Sequence, residues 1–227
     1  MKSLPLYTFT FVLLAALTFF SYQTYANPLR IKPVYQESMA WCWAAVSEMV
    51  LTYYRVPTVN QTVSYQCGIV NTLGGPCFVS CGYCITTIGN TMNMSRVLNN
   101  YQQIIRNFNR SSFRAFSVKP VGRISVRDIK KNINQKNPVI VGISPSGMGA
   151  VYPPGMSEHV ALIIGYREQA NNLWLKINDP MPYLSFGFDP YLRAGGKIDS
   201  NGSHWITYQQ LVNHLGYKDT ILVSRLD

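Results

Sequence analysis

The stretch YQESMAWCWAAVSEMV, from Tyr35 to Val50, places Cys42 between two tryptophans at the start of a periodic apolar run. Apolar residues recur at helical spacing through residues 39–54, so the sequence predicts a helix there, with Ser38 as its N-cap. A cysteine at a helix N-terminus lies beside unpaired backbone N–H groups and the positive end of the helix dipole. Both favour the thiolate, the nucleophilic form. Cys42 is therefore either a nucleophile or a buried structural thiol.

A thiolate nucleophile needs a base, and a strand far downstream supplies a histidine. HVALIIGY (residues 159–166) is typical of a buried strand, and LWLKIND (residues 173–179) of its antiparallel partner after a turn at 171–172. A register that pairs residues 159 and 179 brings His159 next to Asn178 or Asp179. A side-chain oxygen at that place can fix the imidazole tautomer.

Strand alternation favours Asp179 over Asn178 as this partner. Asp179 shares a face with the leucines of the strand, whereas Asn178 shares the other face with Lys176. The lysine face is expected to reach solvent, so the leucine face is expected to meet His159. A carboxylate also stabilises an imidazolium better than a neutral amide does.

Gln36, six residues before Cys42, completes a recognisable order of residues. Gln-x5-Cys-Trp-Ala, followed much later by His-Val-Ala-x-x-x-Gly-Tyr, resembles the papain-like cysteine peptidases. The resemblance implies that Gln36 donates to the oxyanion, Cys42 is the nucleophile and His159 is the base. The motif INDP is similar to that of compact bacterial members, including exported effectors and bacteriocin-processing peptidase domains, which use Asp followed by Pro. It implies Asp179 as the orienting residue, with Asn178 as the alternative.

Helical patterns come first along the chain and strand patterns second, which predicts an α+β fold with an N-terminal helical half, a C-terminal antiparallel sheet half and a cleft between them. This is also the architecture that the papain-like resemblance implies. Residues 27–227 are expected to form one domain. Further predicted elements are helices at 94–108 and 126–136 (capped by Ser125), a strand at 138–143, a capping box at Thr207 with Gln210, and a strand at the C-terminus.

Residues 1–26 are typical of a signal peptide. Lys2 provides the positive end, Phe9 to Phe20 the apolar run, and Thr24 to Ala26 a small-residue cleavage site. The apolar run is short for a membrane span, although an uncleaved anchor is the alternative. Cleavage after Ala26 predicts a secreted or periplasmic protein that begins at Asn27, with no long pro-segment before Gln36.

Four of the five cysteines cluster, and Cys42 stands apart. In an exported chain this count predicts two disulfides and one free thiol, which is Cys42. The sequence leaves three pairings open. A zinc site is the alternative, because two of the clustered cysteines have C-x-x-C spacing. The clustered cysteines are Cys67, Cys77, Cys81 and Cys84.

The net charge of +10 falls to +9 without the signal peptide, which favours association with anionic surfaces. The basic residues are scattered and no nucleic-acid motif occurs, so we expect no nucleic acid, no cofactor and no metal. We expect a monomer that acts on a protein or peptide substrate. His204 and His214 are interpreted as structural or surface residues.

The residues around Cys42 predict an exported cysteine endopeptidase. Other amide chemistries that pass through a thioester, namely transamidation, deamidation and cell-wall amide hydrolysis, fit the same residues. A non-catalytic exported binding module on the same fold is a further alternative.

Overall fold

A computed structural model of the protein describes residues 25–84, 91–109, 113–145, 159–169 and 171–226. The predicted signal peptide, except for its last two residues, lies outside these ranges. Most of the Gly- and Pro-rich segment before His159, residues 144–158, also lies outside them.

An antiparallel sheet forms the C-terminal half, as the sequence predicts. Its order along the main path is β2-β8-β3-β4-β5-β7-β6, and the short β1 pairs with the far end of β4. The strands are β1 (Tyr25–Ala26), β2 (Phe116–Gly122), β3 (Val139–Ile143), β4 (His159–Gln169), β5 (Asn172–Asn178), β6 (Lys197–Ile198), β7 (His204–Thr207) and β8 (Asp219–Arg225).

The helices lie mainly in the first half of the chain. They are α1 (Cys42–Tyr53), α2 (Tyr65–Asn71), α3 (Pro76–Val79), α4 (Thr91–Asn109), α5 (Val126–Asn134), α6 (Pro190–Arg193) and α7 (Tyr208–Asn213), with 3₁₀ turns at Cys81–Tyr83 and Tyr183–Phe186. Helix α1 is apolar on nearly every side and packs on β4. A helix of this kind belongs in a core, and α1 joins the two halves of the protein. Helices in the first half and an antiparallel sheet in the second confirm the α+β prediction.

The start of α1 differs from the prediction. The helix begins at Cys42 rather than at residue 39, and its N-cap is Trp41, whose side chain makes no capping hydrogen bond. Ser38 is not the N-cap, because its carbonyl accepts from the backbone N–H of Trp41 in a tight turn before the helix. This turn places Cys42 itself at the first helical position.

Other local predictions are confirmed. Ser125 caps α5 by accepting from the Asp128 N–H, and Thr207 forms a capping box with Gln210 at the start of α7. Strands β4 and β5 form the expected hairpin. Asn171 lies in its turn with a positive φ of 61°, a conformation that asparagine tolerates better than most residues do.

The amino-terminal segment, residues 27–31, lies across the middle of this hairpin. The N–H of Leu29 donates to the carbonyl of Ile164 at 2.7 Å. Gly165 follows, and a Cβ at that position would lie 3.0 Å from Cα of Pro28. The segment therefore packs directly on the backbone of β4.

All five cysteines lie in the described part of the chain. Cys67 is bonded to Cys81 and Cys77 to Cys84, whereas Cys42 is a buried free thiol. The two predicted disulfides are therefore present, their pairing is now assigned, and the zinc alternative for these residues is wrong. Within the described residues, no helix is both long and apolar enough to cross a membrane.

Candidate active site

Cys42 lies at the point where the helical half meets the sheet. As the first residue of α1 it is only 9% exposed. The first N–H groups of a helix have no intrahelical acceptor, so the backbone around the thiol presents donors and a positive dipole end. The indole Nε1 of neighbouring Trp41 donates to the carbonyl of Cys84 at 2.8 Å. That bond fastens the start of α1 to the disulfide-bonded segment.

His159 and Asp179 form a buried pair beside this thiol. His159 is the first residue of β4, and Asp179 follows the last residue of β5. Their side chains are joined by a 2.7 Å contact between Nε2 and Oδ1, and are 7% and 0% exposed. The Cys42 side chain also acts on the imidazole, through hydrogen bonding and charge that raise the pKa of His159. Because Nε2 faces Asp179, Nδ1 is the ring nitrogen left to face the thiol.

The surroundings of His159 act in opposite directions on its charge. Burial alone lowers the pKa of His159, because it disfavours the imidazolium. The Asp179 carboxylate raises it through charge and hydrogen bonding, and Cys42 adds to this effect. The net pKa of His159 lies above its ordinary value. The site therefore favours a protonated imidazole, the state that stabilises a thiolate at Cys42.

The predicted pairing of residues 159 and 179 is wrong by two residues. In the observed register Leu162 pairs with Asn178 and Ile163 with Ile177, and the register shifts between Ile163 and Gly165. If this register is continued past the end of β5, Asp179 lies opposite position 161 of β4, two residues from His159. Positions 159 and 161 are on the same face of the sheet, so Asp179 and His159 are diagonal neighbours. Side chains at diagonal positions can still touch across a sheet, so the predicted contact forms in spite of the register error.

The face that carries Lys176 and Asn178 is buried, against the expectation that it reaches solvent. Lys176 pairs with Asp199. The Asn178 side-chain nitrogen donates to the carbonyl of Ile31 at 3.0 Å, and its oxygen accepts from Ser203 Oγ at 2.6 Å. The amino-terminal segment and the β6–β7 hairpin cover this part of the strand. The hydrogen bonds of Asn178 therefore point away from His159.

Gln36 lies in the turn before α1, and both hydrogens of its side-chain nitrogen have acceptors there. Nε2 donates to the carbonyl of Ser38 at 2.9 Å and to that of Met39 at 2.8 Å. Its backbone N–H donates to the carbonyl of Pro180 at 2.9 Å. The loop that carries Gln36 is thus bonded to the residue that follows Asp179.

Residues 28–192 match the family described as the Peptidase_C39 like family. The chain belongs to this family. No curated protein matches it. A solved structure described as a double glycine motif protease from an AMS/PCAT transporter, in complex with the leader peptide, is 16% identical with a TM-score of 0.48, and the match covers 88% of this chain and 95% of that chain.

Family membership makes the protein a cysteine-type peptidase and confirms the papain-like interpretation of its α+β fold. The matched range contains the turn before α1, the β4–β5 hairpin and most of α6, and ends at Leu192. It therefore includes Cys42, His159 and Asp179.

In this peptidase, sequence reasoning missed a group of buried residues behind Asp179. The hydroxyl of Tyr191 donates to Asp179 Oδ2 at 2.7 Å. His204, interpreted from the sequence as a structural or surface residue, forms a buried 3.0 Å contact from Nε2 to Asp189 Oδ2. The Asp-Pro pair at 189–190 signals a helix start, and Asp189 does cap α6. Nothing in the sequence indicates that Tyr191 reaches a carboxylate twelve residues earlier.

Proposed function

We propose that the protein is an exported cysteine endopeptidase that hydrolyses peptide bonds with Cys42 as nucleophile, His159 as general base and acid, and Asp179 as the orienting carboxylate. The observation that carries the proposal is the buried 2.7 Å contact between His159 and Asp179, together with the buried free thiol of Cys42 that acts on the same imidazole. A thiol beside a base that is held by a third polar group is the arrangement that nucleophilic catalysis requires.

The reaction would proceed through a thioester. The imidazole takes the thiol proton, and the thiolate sulfur attacks the carbonyl carbon of the scissile bond. The imidazolium gives its proton to the departing amine as the carbon–nitrogen bond breaks, leaving an acyl-enzyme. Water then attacks the thioester with His159 as base, which releases the acid product and restores the thiol.

The negative charge on the carbonyl oxygen needs hydrogen-bond donors at each tetrahedral stage. We assign this role to the backbone N–H of Cys42 and the side-chain amide of Gln36. Both hydrogens of the Gln36 amide bond carbonyl groups of its own loop. One of those bonds must therefore break so that the freed hydrogen can bond the oxyanion. The carbonyl of Met39 is the better candidate, since this bond lies at the surface beside a residue that is 68% exposed.

Export is proposed from the amino-terminal sequence and from cysteine chemistry. Residues 1–26 have the pattern of a cleavable signal peptide. Two disulfides occur within residues 67–84, and such bonds persist mainly in oxidising compartments outside the cytoplasm.

Alkylation of the native protein tests the nucleophile. A thiol-directed epoxide added without reductant is expected to modify Cys42 alone, as mapped by mass spectrometry, because the other four cysteines are disulfide-bonded. The Cys42→Ala variant is expected to lose both the adduct and peptide hydrolysis and to keep its thermal midpoint, since alanine fits the space of the thiol. Finding Cys42 in a disulfide, or hydrolysis by the alanine variant, would end the proposal.

A peptide-cleavage assay separates hydrolysis from acyl transfer to an amine. A peptide substrate incubated with an added primary amine is expected to yield the free acid as the main product. A product in which the amine has replaced water would assign the site to transamidation instead.

A further inference from the structure

The carboxylate of Asp179 accepts three hydrogen bonds, and one of the two side-chain donors lies outside the proposed triad. Oδ1 accepts from His159 and from the backbone N–H of Met181, at 2.7 and 2.8 Å. Oδ2 accepts from the hydroxyl of Tyr191 at 2.7 Å. Asp179 and Tyr191 are both almost fully buried, so bulk water does not compete for Oδ2.

The ring of Tyr191 is held in place by a second histidine–aspartate pair. Asp189 accepts the backbone N–H of Tyr191 at 2.8 Å and caps the short helix α6. The imidazole of His204 stacks on the Tyr191 ring at a centroid distance of 4.2 Å and an interplanar angle of 21°. His204 in turn contacts Asp189. Backbone and ring of Tyr191 are thereby both fixed toward Asp179.

The Tyr191 hydroxyl acts as a donor. Burial raises the pKa of Tyr191 well above its ordinary value, and the adjacent Asp179 carboxylate raises it further. The phenol therefore stays protonated wherever the site operates. A neutral donor that faces a buried carboxylate holds it in place by a charge-assisted hydrogen bond.

We infer that Tyr191 is a positioning residue for the proposed reaction: its hydroxyl holds the Asp179 side chain in the orientation that His159 requires. The inference rests on the proposed function and extends the proposed triad by one residue. Without the hydroxyl, Oδ2 would be buried without a donor, which penalises the carboxylate. A carboxylate that can turn away from His159 would hold the imidazolium less well, and the imidazolium–thiolate pair with Cys42 would lose stabilisation.

The test is the pH dependence of Cys42 alkylation by iodoacetamide in the Tyr191→Phe variant. Phenylalanine keeps the ring stacked on His204 and removes only the hydroxyl. A hydrogen bond to a charged group contributes enough to move the acid limb of the profile upward by about one pH unit. On the acid side this shift slows alkylation about tenfold. An acid limb at the wild-type position would overturn the inference.

Tyr217→Phe is the matched control. Tyr217 is another buried tyrosine, and its hydroxyl contacts Thr220 Oγ1 at 2.7 Å and accepts from the N–H of Ile124 at 3.2 Å. This variant is expected to lose stability in a similar way and to keep the wild-type acid limb. Equal shifts in both variants would show a general structural effect and would refute the positioning role.

A stronger donor at the same place should act in the opposite direction. Site-specific replacement of Tyr191 by 3-fluorotyrosine makes the phenol more acidic with little change in shape, so the acid limb is expected to move to lower pH. The 3-fluorotyrosine variant still tests the inference if the Tyr191→Phe variant does not fold. The other ionisable groups around Asp179 are unchanged in each variant, namely Cys42, His159, Tyr183, Asp189 and His204. No shift, or an upward shift, contradicts the inference.

Iodoacetamide reports on the thiolate and needs no peptide. If the limb shifts as expected but the wild-type protein hydrolyses no peptide, the peptidase proposal fails and the role of Tyr191 stands. Where a peptide is cleaved, Tyr191→Phe is expected to lower kcat several-fold and to leave KM close to that of the wild type.

Discussion

In the proposed mechanism, the side-chain amide of Gln36 has two roles. An amide nitrogen carries two hydrogens, and in Gln36 both bond carbonyl oxygens of residues 38 and 39. Those bonds shape the turn that sets Cys42 at the first position of α1. The proposed oxyanion contact requires one of them to break when the substrate arrives. Turn formation and transition-state binding therefore compete for the same donor.

Replacement of Gln36 by alanine separates these roles. Loss of an oxyanion donor typically lowers kcat by about 10²–10³, and we expect an effect of this size with little change in KM. Kinetics with a peptide substrate and a thermal unfolding curve on the same preparation measure both. An unchanged kcat together with a lower melting temperature would show that Gln36 serves the turn alone.

The adjacent residues Asp179 and Asn178 should respond differently to substitution. Asp179→Asn keeps the shape but removes the negative charge beside the imidazolium, so we expect kcat/KM to fall by about 10²-fold, equivalent to about two pK units. Asn178→Ala leaves two buried polar partners unpaired, the carbonyl of Ile31 and the hydroxyl of Ser203. We expect it to lower the free energy of unfolding by about 1–3 kcal/mol and to retain kcat.

Peptide kinetics and urea unfolding of the two variants measure these effects. The assignment of Asp179 as orienting residue fails if Asn178→Ala is inactive and Asp179→Asn retains wild-type activity.

At the scale of secondary-structure elements, the β4–β5 hairpin controls where His159 and Asp179 meet. The register shifts by one residue between Ile163 and Gly165, at the place where the amino-terminal segment crosses. Glycine at position 165 permits the close approach of Pro28. A sheet irregularity of this kind redirects the strand and can aim a side chain near an active site.

Gly165→Ala is expected to destabilise the protein by about 1–3 kcal/mol, because the new methyl group would overlap the backbone of Pro28. Gly122→Ala is the control, since a Cβ at that strand position meets nothing within 4 Å. Urea unfolding of both variants measures the difference. Equal stability of the two would show that the contact with Pro28 is not tight in solution.

The elements that the sequence predicted best are those with local signals. Ser125 and Thr207 mark helix starts through their own side chains, and apolar runs mark β3, β4 and β8. Strand β2 was missed because Lys119 and Pro120 interrupt its pattern. Proline is tolerated at the edge of a sheet, and β2 occupies the edge. That position is set by tertiary structure and cannot be inferred from a local window.

At the scale of the whole molecule, the site combines residues that local rules predict with residues that only the fold brings together. Cys42 and His159 were predicted from short local motifs that resemble those of the papain-like peptidases, although the predicted helix start was three residues early. Tyr191 and His204 were not found, because their partners depend on how the segment from Met181 to Ser203 folds back on itself. Aromatic stacking and buried hydrogen bonds across a loop leave no periodic pattern in a sequence.

The order of these parts along the chain has a consequence for the moment at which Cys42 becomes protected. A ribosome releases residues 42–84, with all five cysteines, before it has made His159, Asp179 or the strand on which α1 packs. Until β4 emerges, the thiol that ends as the buried free cysteine is as open to disulfide exchange as the four that end paired. Its burial depends on residues made more than one hundred positions later, so throughout that interval Cys42 is exposed to the same oxidants as the four cysteines of residues 67–84.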